Sequence, residues 1–241
     1  MLRFRSVKLT LKQMRLNIDS VKAIVKLGVP GFLNHFMAMV VQVTMNNTLR
    51  VYGAASVYGS DIPIAVVGVI TKLNATVTAF CIGIATGAQP ICGFNYGAKN
   101  YTRVKATYKL ATAAVICISL VFFACFQLFP RQLISIFGSG DKQYYLFGER
   151  YMRVYLMMVC FYGMQPLATT FFASIGKAYK ALFITMTRQG IFLLPLLLIL
   201  PRFLGLDGIV YAGPIADSAS ILCVIVCISL EFKAMSKLML E

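Results

Sequence analysis

The chain has 241 residues, of which 59% are hydrophobic and 13% charged, and its mean hydropathy is +0.78. A soluble domain carries roughly 25% charged residues, so the composition excludes a water-soluble enzyme, a coiled coil and a disordered chain. The net charge of +15 does not indicate a nucleic-acid binder, because the basic residues fall in short groups between long apolar runs. The sequence predicts an all-α integral membrane protein.

The first 26 residues predict an amphipathic helix. Apolar residues recur at alternating steps of three and four from Phe4 to Val25, and basic residues occupy the other side. Such a helix is suited to the headgroup layer of a membrane, and a solvated connector helix is the alternative. The stretch lacks the apolar core of a signal peptide. We expect residues 1–26 to form a cytoplasmic connector.

Six apolar segments follow, each near the ~20 residues that a bilayer requires. We predict that all six are helices, because lipid offers no partner to an unpaired backbone group. The expected organisation is a six-helix transmembrane lobe over 27–232 and a cytoplasmic tail over 233–241. The spans are expected at about 28–52, 62–88, 106–129, 151–174, 181–201 and 208–230.

The distribution of lysine and arginine predicts the orientation. If the amino terminus is cytoplasmic, sixteen basic residues lie in inside segments and six in outside segments, with Lys72 left within a span. Basic residues accumulate on the cytoplasmic side of membrane proteins. Both termini are therefore expected in the cytoplasm.

A narrow polar seam lies on the first span. His35, Gln42 and Asn46 fall within an arc of ~40° on a helix of 3.6 residues per turn. Polar side chains inside a membrane face a cavity or another helix rather than lipid. The seam predicts either a cavity lining or hydrogen bonds between helices.

Two ionisable residues lie at matching depths in the second and sixth spans. Lys72 is ~15 Å and Asp217 ~13–14 Å from the outer side, at 1.5 Å per residue. We hypothesise that they pair or share a water-filled cavity, with a role in gating or in structure. Arg188, in the fifth span, is expected to reach towards the cytoplasmic surface in a structural role.

A second polar face is expected on the fourth span, where Pro166 would interrupt the helix. Its side chains are Tyr155, Tyr162, Gln165 and Thr169. Aromatic and amide groups without a fixed charge can bind lipophilic cations through cation–π contacts and hydrogen bonds. Simple packing is the alternative.

The most distinctive stretch is Gly83–Lys99, with the sequence GIATGAQPICGFNYGAK. It contains two GxxxG spacings, which let helix backbones approach closely. Gln89-Pro90 predicts a kink, because proline removes a backbone hydrogen bond. A phosphate-binding loop is excluded, since no strand precedes the glycines and no GKS or GKT follows them.

This stretch, with the basic loop Tyr101–Lys105 after it, resembles the multidrug and toxic compound extrusion (MATE) transporters. The likeness covers residues 20–232, and the bacterial DinF-like branch is the most similar. The positions that match the family motifs are Gly87, Gln89, Pro90, Gly93, Asn95, Tyr96, Gly97, Arg103, Arg188 and Pro214.

The resemblance implies one lobe of a twelve-helix transporter, the carboxy-terminal lobe with its connector. The implied activity is secondary antiport, in which Na⁺ or H⁺ entry drives export of amphiphilic or cationic drugs or metabolites across the bacterial cytoplasmic (inner) membrane. The implied partner is an amino-terminal lobe or a second copy of the chain. The pathway residues we assign are His35, Gln42, Asn46, Lys72, Tyr162, Gln165 and Asp217.

The chain also departs from the family pattern. The amino-terminal lobe, where DinF-like members keep a membrane-embedded acidic residue, has no counterpart, and the fourth span lacks the aspartate of the NorM-like branch. Met1 stands directly before the connector-like sequence. The alternative is therefore a truncated or split product that does not transport, either a membrane scaffold or a nonfunctional remnant.

Enzymatic chemistry, a metal site and a cofactor are not expected. The chain has one histidine and seven scattered cysteines without a CxxC pair. Such cysteines do not form a disulfide framework and are expected as small buried hydrophobes.

Overall fold

The structure is a computed structural model, and it describes residues 17–138 and 140–239. The described chain is helical throughout, which confirms the predicted fold class. Residues 1–16 of the expected connector lie outside this part. The helices are α1 (Ile18–Ala54), α2 (Asp61–Gly97), α3 (Tyr101–Leu128), α4 (Pro130–Ser135), α5 (Lys142–Tyr155), α6 (Val159–Tyr162), α7 (Met164–Ser174), α8 (Ala178–Met186), a π-helical segment (Thr187–Leu193), α9 (Leu194–Leu204) and α10 (Leu206–Lys237).

Helix α1 continues without interruption through the expected boundary between connector and first span. It begins after Asn17, whose side chain accepts a hydrogen bond of 2.9 Å from the backbone N–H of Asp19. An asparagine in this position satisfies one of the free N–H groups at a helix start. Residues 18–26 therefore belong to the same helix as the predicted first span.

Four helices are long and apolar enough to cross a membrane: α2, α3, the run Ala178–Leu204 and α10. The pair Lys142–Tyr155 and Val159–Ser174, bent by 47°, makes a fifth if it is one span. These correspond to the second to sixth predicted spans. Helix α1 has the length but is not among them, because polar side chains such as Gln42 and Asn46 interrupt its apolar sequence. Its status as a sixth span stays a prediction.

The fourth span is broken earlier than the sequence predicted. The helix stops at Tyr155 and resumes fully at Met164, so the expected interruption at Pro166 is wrong in position. Pro166 lies in the first turn of α7, where its missing N–H costs no helical hydrogen bond. At the break, a side chain on Gly163 would overlap Cys81 Sγ of α2, 2.5 Å away. Glycine therefore lets this span pack closely against α2.

Helix α2 packs against α1, α3, α5 and α7, while α10 packs against α9 and the π-helical segment. The helix α2 continues through Pro90 to Gly97. Of the two GxxxG pairs, a Cβ would meet another part of the chain at Gly93, 3.0 Å from the carbonyl oxygen of Ser174. Gly83, Gly87 and Gly97 have no such neighbour within 4 Å in the described residues.

Candidate functional site

A half-open cavity of about 280 Å³ lies on the flank of the lobe. Four regions of the chain form it: α1, α2, the α6–α7 region, and the α8 helix with the π-helical segment that follows it. Its lining is mostly polar in residue type, although the lobe around it is apolar. The lining residues are Asn34, Thr78, Ile82, Tyr162, Gln165, Pro166, Thr169, Thr170, Thr185, Arg188 and Gln189.

Two irregular stretches of helix place the polar side chains at this cavity. The break before Met164 lets α7 begin there, with Gln165 in its first turn. The π-helical segment carries Arg188 and Gln189. Such segments are uncommon and often occur at functional sites, because their wider turn changes the direction of the side chains.

Arg188 forms a buried ion pair with Asp217 of α10. The distance from Arg188 Nε to Asp217 Oδ1 is 2.6 Å, and 9% and 7% of the two side chains are exposed. The predicted pairing of Asp217 with Lys72 is therefore wrong, and Lys72 is exposed on α2. The expectation that Arg188 reaches the cytoplasmic surface is also wrong. The carboxylate provides the compensation that a buried guanidinium requires, so Arg188 remains in the lobe.

Neighbouring side chains fix the guanidinium and the cavity wall. The guanidinium carbon of Arg188 lies 4.5 Å from the centre of the Tyr162 ring, a cation–π contact. Gln165 Nε2 donates to the backbone oxygen of Ile184, at 3.1 Å. The hydroxyls of Thr169 and Thr185 lie 3.3 Å apart. These contacts tie α7 to α8 along one side of the cavity.

A second, much smaller space of about 10 Å³ lies behind the ion pair and is lined by Asp217, Ser220 and Ile221 among others. The hydroxyl of Ser220 is buried and has no hydrogen-bond partner among the described residues. A volume of ~10–15 Å³ is what one water molecule requires. The rear of the site therefore has room and polar groups for about one water.

The pathway residues assigned from the sequence divide into two groups. Tyr162 and Gln165 line the cavity, and Asp217 lies directly behind it. His35, Gln42, Asn46 and Lys72 are exposed and do not line this cavity.

On the polar seam of α1, Gln42 Nε2 donates to Asn46 Oδ1 at 3.3 Å, within the helix itself. Asn34, next to His35 in sequence, takes the α1 position at the cavity. On the fourth span, Tyr155 departs from its predicted companions. Its ring stacks on that of Tyr151, with the ring centres 4.8 Å apart.

The central position of Arg188 was not apparent from the sequence. Arg188 and Asp217 were each identifiable as charges inside apolar runs, but their contact depends on the π-helical segment. Nothing in its residues, TRQGIFL, distinguishes that segment from ordinary helix.

Tyr96, a motif residue at the end of α2, lies next to a separate cluster of charged side chains around Glu231. Glu231, with 1% of its side chain exposed, accepts hydrogen bonds from Lys177 and from Lys180, the latter at 2.7 Å. Lys177 Nζ lies 5.9 Å from the ring centre of Tyr96. Burial lowers the pKa of Lys177, but the hydrogen bond and charge of Glu231 raise it, so that it lies above its ordinary value.

Two other motif residues, Asn95 and Arg103, form hydrogen bonds with residues three or four positions away in the chain. Asn95 Nδ2 donates to the carbonyl oxygen of Ile91 at 2.8 Å. The backbone N–H of Arg103 donates to the capping side chain of Asn100, at 3.3 Å. Pro214 is buried within α10.

The family model MatE matches residues 35–199 of this chain. Among curated proteins, "Multidrug export protein MepA" of Staphylococcus haemolyticus (strain JCSC1435) is 24% identical over 195 residues, covering 81% of this chain and 41% of the relative. The protein of the same name from Staphylococcus aureus (strain MRSA252) is 23% identical over 221 residues, covering 88% and 45%. The chain thus spans less than half the length of these relatives.

Solved structures show the same relation. The structure titled "Crystal structure of MATE in the straight conformation" matches with a TM-score of 0.81 and 18% identity, covering 96% of this chain and 51% of that one. A MOP superfamily transporter from Pyrococcus furiosus matches with a TM-score of 0.81 and 18% identity, covering 95% and 50%. The fold of the chain is that of half of these structures.

Proposed function

The chain belongs to the MatE family, and from that premise we propose that it is the carboxy-terminal lobe of a secondary antiporter of the DinF-like branch. It exports amphiphilic or cationic drugs or metabolites in exchange for Na⁺ or H⁺. It works with an amino-terminal lobe or with a second copy of itself. Its place is the bacterial cytoplasmic membrane, with both termini inside.

The observation that supports this proposal is the half-open polar cavity in an otherwise apolar multi-pass protein. Polar and charged groups within membrane helices are costly, and they occur where they line a path for ions or substrates. A cavity on the flank of one lobe is suited to form one wall of a cleft that a second lobe closes. Two lobes that rock about such a cleft give alternating access.

Asp217 is the point of ion coupling in this proposal. Its Oδ1 atom holds Arg188, so a coupling ion bound at this carboxylate weakens the ion pair and alters what the guanidinium offers to the cavity. Coupling then follows if ion and substrate favour opposite states of the pair.

Efflux from membrane vesicles tests the proposal. The chain is expressed with and without an amino-terminal MatE lobe, and export of the fluorescent cation ethidium is followed under an imposed Na⁺ or H⁺ gradient. We expect gradient-dependent efflux from the assembled pair, or from the chain alone if it works as a dimer. Unchanged background leakage in both cases, from chains shown to be folded and inserted, would reject transport.

A second candidate is a membrane scaffold or remnant without transport activity. The observation that favours it is the coverage of 41% and 45% of the curated relatives. The nucleotide sequence upstream of the gene separates the two candidates. A neighbouring reading frame for six further spans favours a split transporter, and its absence from the genome favours the scaffold.

A further inference from the structure

We propose that the cavity binds the carboxylate group of an amphiphilic molecule, and that Arg188 recognises it. This inference rests on the proposed function, because it takes the cavity as part of the substrate path. It narrows the substrate class to molecules that present an anionic group to this lobe.

The side chains that line the cavity give it a positive charge. Arg188 is the one charged side chain among the described residues that line the 280 Å³ cavity, and no carboxylate lines it. Asp217 lies behind Arg188, at the small rear space. A ligand in the cavity therefore meets the guanidinium first, and the carboxylate is shielded from it.

The guanidinium of Arg188 also has nitrogens that are free to bind a ligand. Asp217 engages the Nε atom, and the guanidinium carbon lies over the Tyr162 ring, 4.5 Å from its centre. The N–H bonds of a guanidinium point outwards in its plane, and Asp217 takes up only the one on Nε. Both terminal nitrogens of Arg188 lack a protein partner within the described residues. They form the fork that binds a carboxylate through two parallel hydrogen bonds.

The remaining lining completes a site for an amphiphile. The hydroxyls of Thr169 and Thr185 and the amide of Asn34 can take up further polar groups. Ile82 and Pro166 offer apolar wall for a ring. At about 280 Å³ the cavity is just below the ~300–1,000 Å³ of pockets for drug-sized ligands. It fits a headgroup with one or two rings, and a longer molecule extends into the cleft.

Asp217 acts in this proposal as a positioning residue. A guanidinium without a fixed counter-ion would be too costly to keep within the lobe, and the contact through Nε orients the fork towards the cavity. A permanent cation in the same place would meet the guanidinium with no carboxylate to offset it. The cavity should therefore prefer an anionic ligand to a cationic one of equal size.

A panel of three matched ligands tests this preference: 1-naphthoate, 1-naphthamide and 1-naphthylmethylammonium. The full chain is reconstituted in nanodiscs, radiolabelled 1-naphthoate is bound, and the other two compete with it. Empty nanodiscs correct for partition into lipid. We expect 1-naphthoate to bind at least about tenfold more tightly than the amide, with the ammonium compound weakest. Absence of binding above empty nanodiscs, or a preference for the ammonium compound, overturns the proposal.

Variants then assign the preference to Arg188. The double variant Arg188→Gln/Asp217→Asn removes both charges together and leaves no unpaired ion. It should bind naphthoate and naphthamide within about twofold of each other. Arg188→Lys, which keeps the charge and loses the fork, should lose most of the preference, whereas Lys72→Gln on the exposed face of α2 should keep it. Retention of the full preference by the folded double variant contradicts the proposal, and if that variant does not fold, the ligand panel on the unaltered chain decides.

Binding and transport can fail separately. A chain that prefers naphthoate but exports neither naphthoate nor ethidium with any partner lobe refutes the proposed function and leaves the carboxylate site in place. A chain that exports ethidium but binds naphthoate no better than the amide refutes the carboxylate site alone.

Discussion

Arg188 Nε and Asp217 Oδ1 are 2.6 Å apart, and this contact joins the π-helical segment of the fifth span to α10. Each side chain is more than nine-tenths buried. The ion pair thus links two membrane helices at the wall of the cavity.

Loss of one member of this pair should cost more than loss of both. Asp217→Asn leaves the guanidinium buried without a counter-ion, and we expect the free energy of unfolding to fall by about 3–5 kcal/mol. The double variant Arg188→Gln/Asp217→Asn should recover a large part of that loss. Denaturant titration in detergent micelles, followed by circular dichroism, gives both values. Additive losses from the two single substitutions would contradict a direct pairing.

Gly213 should not tolerate a side chain. Its Cβ would overlap the Tyr155 ring, which is held by stacking on the buried Tyr151. We expect Gly213→Ala to lower the free energy of unfolding by about 1–3 kcal/mol, the usual cost of overpacking. Gly87→Ala is the matched control, because no other part of the described chain lies within 4 Å of a Cβ there. It should leave stability unchanged or raise it by up to about 1 kcal/mol, and equal losses would remove the packing argument.

Glu231 should stabilise the junction of α8 and α10 in a pH-dependent way. We expect Glu231→Gln to lower the free energy of unfolding at pH 7 by about 1.5–3 kcal/mol, the range for hydrogen bonds to charged groups. The folded-state pKa of Lys177 lies above its ordinary 10.5. Its contribution is therefore complete below that value and fades as the pH rises through the folded-state pKa.

The difference between the unaltered chain and Glu231→Gln should accordingly be constant from pH 7 to 9 and shrink in more alkaline solution. Denaturation at a series of pH values measures it. Arg103→Gln, at an exposed position, serves as control. A difference that grows at high pH would mean that the lysine contacts are not its source.

The orientation of the chain can be checked with reporter fusions. A green fluorescent protein after Lys237 should fluoresce, because the charge distribution predicts a cytoplasmic carboxy terminus. An alkaline phosphatase after Asp141, between α4 and α5, should be active, since that connection is expected outside. A dark fluorescent protein fusion together with an inactive phosphatase fusion would mean that the chain has the opposite orientation in the membrane.

The sequence was sufficient to predict the helices and the family, because both depend on local patterns. Long apolar runs require helices in lipid, and the motif around Gln89 and Pro90 lies within one continuous segment of chain. The second to sixth predicted spans overlap four long apolar helices and one bent helix pair of the structure, while their bounds as membrane spans stay a prediction. Tyr162 and Gln165 could be recognised as candidate site residues for the same reason, because they lie close together in one segment of the chain.

The sequence did not suffice for the contacts between helices. Equal depth suggested Lys72 as the partner of Asp217, but depth does not determine which way a side chain faces around the helix. The π-helical segment sets that direction for Arg188, and this segment packs against α1 and α10, which are distant from it in sequence. The interruption between Tyr155 and Met164 was not located for the same reason, since Pro166 lies in the first turn of the helix after it and not in the interruption itself.

A π turn holds about one residue more than an α turn, so the helices on its two sides are out of phase by roughly 100°. If Thr187–Leu193 became a regular α-helix at its present length, α8 would rotate against α9 by that angle, and Arg188 and Leu197 could not both keep their present neighbours. Deleting one residue from the segment would instead remove the extra residue together with the π turn and leave the two helices in phase. The length of this segment and its π-helical form are therefore linked, and a homologue with one residue fewer should have a regular α-helix here.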